Sequence, residues 1–338
     1  MILVTGGTGL VGSHLLYRLA KKNVSVKALY RTEKSLVKVK NVFSYYQDNS
    51  EELFDKIQWI KGDITDIPSL ENAFSEVNYV YHVAAIVAFD PKRYRAMRQV
   101  NIEGTANMVN LSIQNKVKKF CFVSSIAAIG DSINSNIVTE ENEWNIEGKN
   151  NGYSITKHGA EMEVWRGSQE GIDIIIVNPG IILGGGFWKI NTGTMFSKSF
   201  NGFRFYTEGV SGFIGVLDVV NSMIGLMESH LKNERYILVS ENVSFREIFT
   251  KIATGFGRKS PSIKVYPLYT SILWRVEFVL SKLLNKSQTL PKDTARTLHS
   301  KTYYSSDKVK KDLGFEFTPI EKSIQETCKH YLKDFEKN

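Results

Sequence analysis

The sequence predicts an α/β fold, a doubly wound parallel sheet followed by a smaller C-terminal lobe, on three observations. Short apolar, β-branched runs recur along the first half of the chain, segments with apolar residues at helical spacing separate them, and the alternation stops near residue 180. The 338 residues are ample for such a core. Apolar residues at 42% and charged residues at 23% are ordinary globular usage and exclude a disordered or fibrous class.

The strand-like runs are residues 2–5, 25–30, 58–62, 79–84, 119–124 and 173–178. They are nearly continuous in apolar character rather than alternating, as in strands covered on both faces of a parallel sheet. Crossover helices are expected over 10–20, 68–76, 94–115 and 153–169, with Asp66 as the N-cap of the second. Residues 1–180 form the sheet domain in this reading. Residues 181–338 form a substrate-binding lobe partly interleaved with it, with helices near 217–229, 244–255, 269–284 and 321–334, and 236–240 offers the sheet a return strand. The most apolar of these stretches, around 266–284, is interrupted by Arg275, Glu277 and Lys282, too charged for a membrane span. It reads as an amphipathic helix capping the domain, in preference to a membrane-surface element.

Two cysteines, Cys121 and Cys328, supply neither a disulfide framework nor a metal cluster, so no metal is expected. The opening apolar run lacks the length, basic leader and cleavage site of a signal peptide, and a cytoplasmic location is expected. The net charge is +8, and the first 50 residues hold eight Lys/Arg against two Asp/Glu. Those cations carry no interleaved nucleic-acid motif, so they read as solvated and no nucleic-acid partner is expected.

The first strand runs into Thr5-Gly6-Gly7-Thr8-Gly9-Leu10-Val11-Gly12 and then a helix. Gly6, Gly9 and Gly12 have the spacing that lets backbone amides, those of Leu10 and Val11 included, approach a pyrophosphate at a helix N-terminus. This predicts a Rossmann dinucleotide site. The second strand ends in Arg31, where an NAD-specific site would place an acidic residue; a guanidinium there pairs with the 2′-phosphate of NADP, which is favoured over NAD. Asp63, beside Ile64 at the end of the third strand, is placed to accept from the adenine amino group.

Tyr153 and Lys157 lie four apart at the start of a helix, which stacks them on one face. A cation there would favour the phenolate and bring Tyr153 toward the working pH of a general acid/base. Lys157 would also hold the nicotinamide ribose. A serine at the end of the fifth strand, Ser124 or Ser125, would hydrogen-bond the reacting oxygen.

With these landmarks the sequence resembles an extended short-chain dehydrogenase/reductase of the NAD(P)-dependent epimerase/dehydratase superfamily. The resemblance rests on the glycine turn, Gly62-Asp63, His82-Val83-Ala84-Ala85, Val123-Ser124-Ser125 and Tyr153-x-x-x-Lys157, and covers residues 1 to about 182. It implies that Ala84, Ala85, Ser124 and Pro179 line the cofactor, that Asn101 supports the active-site helix, and that Ser125, five residues before Gly130, is the catalytic hydroxyl. It also implies a homodimer. Ile126-Ala127 stand where sugar dehydratases carry Asp-Glu, so dehydration is discounted. Asn178 stands where many nucleotide-sugar members carry Arg. The tail, from Leu290-Pro291 through Asp312-Leu313-Gly314, is similar to dihydroflavonol-reductase-like and 3β-hydroxysteroid-dehydrogenase-like members. Phe89, Phe187, Trp188 and Phe213 are expected to flank a cleft for a flat or apolar substrate. The function implied is hydride transfer between nicotinamide and a carbonyl or alcohol, with Tyr153 as acid/base. A nucleotide-sugar epimerase with tightly bound NAD, and a non-catalytic dinucleotide sensor, remain the alternatives.

Overall fold

The computed structural model describes residues 1–46, 50–130, 137–148, 150–284, 288 and 290–336. Its main sheet contains β1 (Ile2–Thr5), β2 (Val26–Tyr30), β3 (Gln58–Lys61), β4 (Tyr79–His82), β5 (Lys119–Val123), β6 (Asp173–Pro179) and β7 (Glu234–Leu238). The order is β7-β6-β5-β4-β1-β2-β3, parallel at every step. Strand order reverses between β1 and β4, and there the carboxyl ends of the strands open the crevice that such sheets use for ligands. All five residues of β5 are buried, the apolar residues 120–123 and Lys119, whose Nζ donates to the Leu226 carbonyl at 2.7 Å. At the sheet edge, β3 keeps none of its residues fully buried.

Helices cover both faces. On one, Leu15, Leu16 and Leu19 of helix Leu10–Lys21 pack with Val219, Val220 and Met223 of helix Val216–Glu228 against Val4 and Ile175. On the other, Met108 and Val109 of helix Gly104–Gln114 meet Ala160 and Val164 of helix Gly152–Gln169 over Leu3, Val80 and Ile174. β7 draws residues beyond 180 into this sheet because it covers β6; Tyr236, Ile237 and Leu238 have no exposed surface. A separate core of Phe196, Phe213, Val243, Ile248 and Ile324 holds the lobe, around strands Ile181–Leu183, Val210–Gly215 and Glu241–Ser244.

Three local expectations need correction. The helix expected over 94–115 widens into a π-helical turn at Arg98–Glu103 before continuing from Gly104. Asp66 stands at the N-cap as expected, but its side chain caps nothing: Pro68 at the second helical position has no N–H to offer, and the Ser69 N–H donates to the Asp66 carbonyl at 3.1 Å. The same carbonyl also accepts from the Ser69 hydroxyl at 2.7 Å. The apolar stretch near 266–284 forms helix Pro267–Leu283, but it does not cap the domain with its apolar face. Only Thr270 and Ser281 are buried, while Leu268 and Leu283 are 66% and 75% exposed.

The glycine turn leaves no room for side chains at two of its positions. A Cβ on Gly12 would sit 2.2 Å from the Gly6 carbonyl oxygen, and one on Gly6, at φ +66°, 2.6 Å from the Ala84 nitrogen. Gly12→Ala is therefore expected to lose about 1–3 kcal/mol of stability in urea unfolding, the usual cost of overpacking against backbone that cannot yield.

Candidate active site

The turn is tied to the rest of the site by a buried chain of hydrogen bonds. The Ala84 N–H donates to Thr5 Oγ1 at 3.2 Å, and Thr5 Oγ1 meets His82 Nδ1 at 2.7 Å. His82 Nε2 meets Thr105 Oγ1 at 3.0 Å, and that hydroxyl donates to the Asn101 carbonyl at 2.5 Å. Burial holds the imidazole neutral by lowering His82 to about 3. Each hydroxyl then accepts one proton and donates one only if the imidazole hydrogen sits on Nε2. Asn101 continues the chain, donating from Nδ2 to Thr156 Oγ1 at 3.1 Å on the active-site helix and clamping the backbone of Ile86. The supporting role expected of Asn101 thus has a geometric basis.

Residues of the turn fit a dinucleotide. Gly9 is the N-cap of helix Leu10–Lys21 and offers no side-chain cap, which leaves the first N–H groups, among them those of Leu10 and Val11, for a ligand. A Cβ at Gly9 would meet only the Gly6 carbonyl, at an ordinary 3.4 Å, so protein packing does not demand glycine there. Close approach of an anion would. At the end of β2, Arg31 sets its guanidinium 3.9 Å from the Asp63 carboxylate, with its side chain 68% exposed. The other Asp63 oxygen accepts from the backbone and hydroxyl of Thr65, and Ile64 is buried beside it. Ala84, whose backbone abuts Gly6, and Ala85 are half-buried just after β4, and Pro179 closes β6.

Helix Gly152–Gln169 starts at a reciprocal capping box between Asn151 and Ser154, which fixes the first turn carrying Tyr153. Burial raises the Tyr153 phenol to about 12, and the Ser125 hydroxyl beside it acts in the lowering sense. The expected help from Lys157 is not what the structure shows. Lys157 Nζ donates to the Val123 carbonyl at 2.7 Å and lies 4.8 Å above the Phe122 ring. Helical spacing puts it on the same face as Tyr153, but the carbonyl at the end of β5 captures its ammonium. Burial lowers Lys157 to about 7, opposed by the carboxylate of Glu161.

Glu161 is the residue the sequence reading missed. It has no exposed surface, and its Oε1 accepts from Asn178 Nδ2 at 2.5 Å, while the same amide donates to the Ser125 carbonyl at 3.0 Å. Arg235 of β7 stands 3.7 Å from the other oxygen, and Ser124 lies alongside. Burial raises the Glu161 carboxyl. Its spacing, four residues after Lys157, was the available signal, and Asn178 is where the sequence departed from Arg. Of the four aromatic residues expected at the cleft, Phe89 packs edge-on to Tyr153 with ring centroids 5.7 Å apart. Phe213 is wholly buried in the lobe core, Trp188 donates to Asp334 and packs on Tyr331, and Phe187 is buried under Lys38. Phe213 and Trp188 thus join the lobe core with Phe196, Phe245 and Tyr331 rather than a cleft.

Comparison with known proteins agrees with this geometry. The NAD-binding family described as male sterility protein matches residues 4–232. A Synechocystis protein named "Putative dihydroflavonol 4-reductase" is 28% identical, over 98% of this chain and 94% of its own. Cinnamoyl-CoA reductase 1 of Petunia hybrida is 26% identical, over 97% and 91%. UDP-glucose 4-epimerase of Thermotoga maritima shares the fold at a TM-score of 0.77 and 20% identity, over 99% of both chains.

Two outcomes follow from the geometry. Gly9→Ala leaves urea stability within about 1 kcal/mol, since the site is open, yet weakens dinucleotide binding measured by calorimetry. Because the folded pKa of Lys157 is depressed from 10.5 to about 7, the unfolded chain binds the extra proton between those values and stability gains as pH rises. Lys157→Met removes that gain, so its melting temperature relative to wild type, both without cofactor, falls between pH 6 and pH 10.

Proposed function

We propose, for a chain that belongs to the male sterility protein family within the extended short-chain dehydrogenases/reductases, that it reduces a small-molecule carbonyl with NADPH. The superfamily is one of NAD(P)-dependent oxidoreductases, and NADP is the finer assignment. The single observation that carries the reading is the buried Tyr153 phenol, packed against Phe89 and close to Ser125, on a helix that the Asn101–Thr156 hydrogen bond ties back to the glycine turn. The reductase names of relatives matched over more than nine-tenths of both chains support it.

The amides after Gly6, Gly9 and Gly12 would hold the diphosphate, with Asp63 and Ile64 at the adenine and Ala84, Ala85, Ser124 and Pro179 toward the nicotinamide. Arg31, mostly exposed and only 3.9 Å from a carboxylate, is free to turn its fork to a 2′-phosphate. NADPH, when bound, supplies the hydride. Ser125 orients the carbonyl oxygen, and Tyr153, protonated at neutral pH, gives it a proton. The phenolate left behind takes up a proton from solvent before the next turnover. Asn178 holds the Ser125 carbonyl and so the position of that serine.

Tyr153→Phe is expected to lower kcat by about 10²–10⁴-fold while leaving cofactor affinity unchanged. In calorimetric titration NADPH should bind at least tenfold tighter than NADH, about 1.4 kcal/mol, and Arg31→Ala should erase the difference. NAD that cannot be stripped, with no net change in nicotinamide absorbance during turnover, would overturn the reading in favour of an epimerase.

A further inference from the structure

The helix Pro267–Leu283 is built inside out. Its buried residues are the small polar Thr270 and Ser281, anchored by Thr270 Oγ1 to His299 Nε2 at 2.9 Å and by Lys92 Nζ to the Ser281 carbonyl at 3.4 Å. Successive helical residues advance about 100°, which gathers Leu268, Ile272, Leu273, Val276, Val279 and Leu283 into one arc of about 140°. All six are exposed, by 49% to 75%. A contiguous apolar stripe of this kind on a protein surface marks something that covers it.

Charge around the stripe selects what that is. Residues 264–301 hold seven Lys/Arg against two Asp/Glu. Both acids are engaged within the protein: Glu277 accepts the Leu290 N–H at 2.6 Å, and Asp293 pairs with Arg296 at 3.4 Å. Arg275 and Lys282 share one border of the stripe, their cations 4.7 and 4.6 Å over the rings of Trp274 and Phe278, and Lys264 lies 5.5 Å over Tyr266. Long basic side chains beside aromatic rings at the rim of an apolar helix suit the headgroup level of a membrane. A second copy of this chain would bring the same cationic rim to face its own. No helix among the described residues is long and apolar enough to cross a bilayer. A helix with Arg275, Glu277 and Lys282 in its sequence lies along the surface instead.

We propose that helix Pro267–Leu283 docks this protein on the surface of an anionic lipid bilayer. Apolar residues of the stripe enter the acyl boundary, and Arg275, Lys282 and Lys264 meet lipid phosphates. Lys92, which holds this helix, is three residues from Phe89 at Tyr153, so docking sets the mouth of the active site beside the membrane.

The test is sedimentation of the full chain with vesicles of phosphatidylcholine alone or with added phosphatidylglycerol. Binding should be at least about tenfold tighter to the anionic vesicles, given roughly 1 kcal/mol per basic residue near the surface, and weaker in high salt. Leu273→Glu with Val276→Glu should abolish it, whereas Arg275→Gln with Lys282→Gln should remove the preference for anionic lipid. Both pairs are surface changes, so melting temperature and NADPH affinity should match wild type. The proposal is overturned if the wild-type chain stays in the supernatant with both vesicles, or if the Leu273→Glu/Val276→Glu chain binds as well as wild type. A dimer that dissociates on the same double substitution without any vesicle binding would assign the face to a second copy.

Discussion

The buried relay from Thr5 through His82 and Thr105 to Asn101, and on to Thr156, is the connection on which the rest of the site depends. It begins at the glycine turn, crosses β4, enters the π-helical segment and ends on the helix that carries Tyr153 and Lys157. Every member is buried, so a missing partner would strand a polar atom in the core at a cost of about 1–3 kcal/mol. The directionality of the chain also settles the histidine tautomer, since a second proton on the ring would leave Thr5 with no acceptor to donate to. Cofactor turn and catalytic helix, 150 residues apart in sequence, are thereby held to one geometry.

Behind Ser125, Tyr153 and Lys157 lies a second buried network with a different character. Glu161, Asn178 and Arg235 put a carboxylate, an amide and a guanidinium within reach of Ser125 and Lys157. Desolvation acts on Tyr153, Glu161 and Lys157 in the same sense, raising the first two and lowering the third, so the neutral form of each is favoured. Asn178 answers that condition in a way a second arginine would not. Its neutral amide satisfies both the Ser125 carbonyl and Glu161 without adding another cation beside Arg235.

Local pattern and tertiary environment part company most clearly in the C-terminal half. Helix Pro267–Leu283 has the apolar periodicity of a core-facing helix, yet its polar face meets the protein. Periodicity reports that a helix is two-faced and not which face is inward. The same holds for Phe213 and Trp188, whose aromatic character suited a cleft as well as a core. Packing with Phe245 and Tyr331 assigned them to the core.

Glycine spacing, the β-α alternation and the Tyr153/Lys157 pair were legible in the sequence because each is a local rule. A turn that must admit backbone amides, strands covered on both faces and an i, i+4 pair on one helical face all reveal themselves within a few residues. Residues 234–238, which complete the sheet, were legible as a return strand but not as the neighbour of β6. The capture of Lys157 by the Val123 carbonyl, the burial of Glu161 against Asn178 and Arg235, and the outward turn of Leu268 through Leu283 were decided only in the folded chain. Those depend on which groups from distant strands compete for the same desolvated space, and sequence spacing carries no measure of that competition.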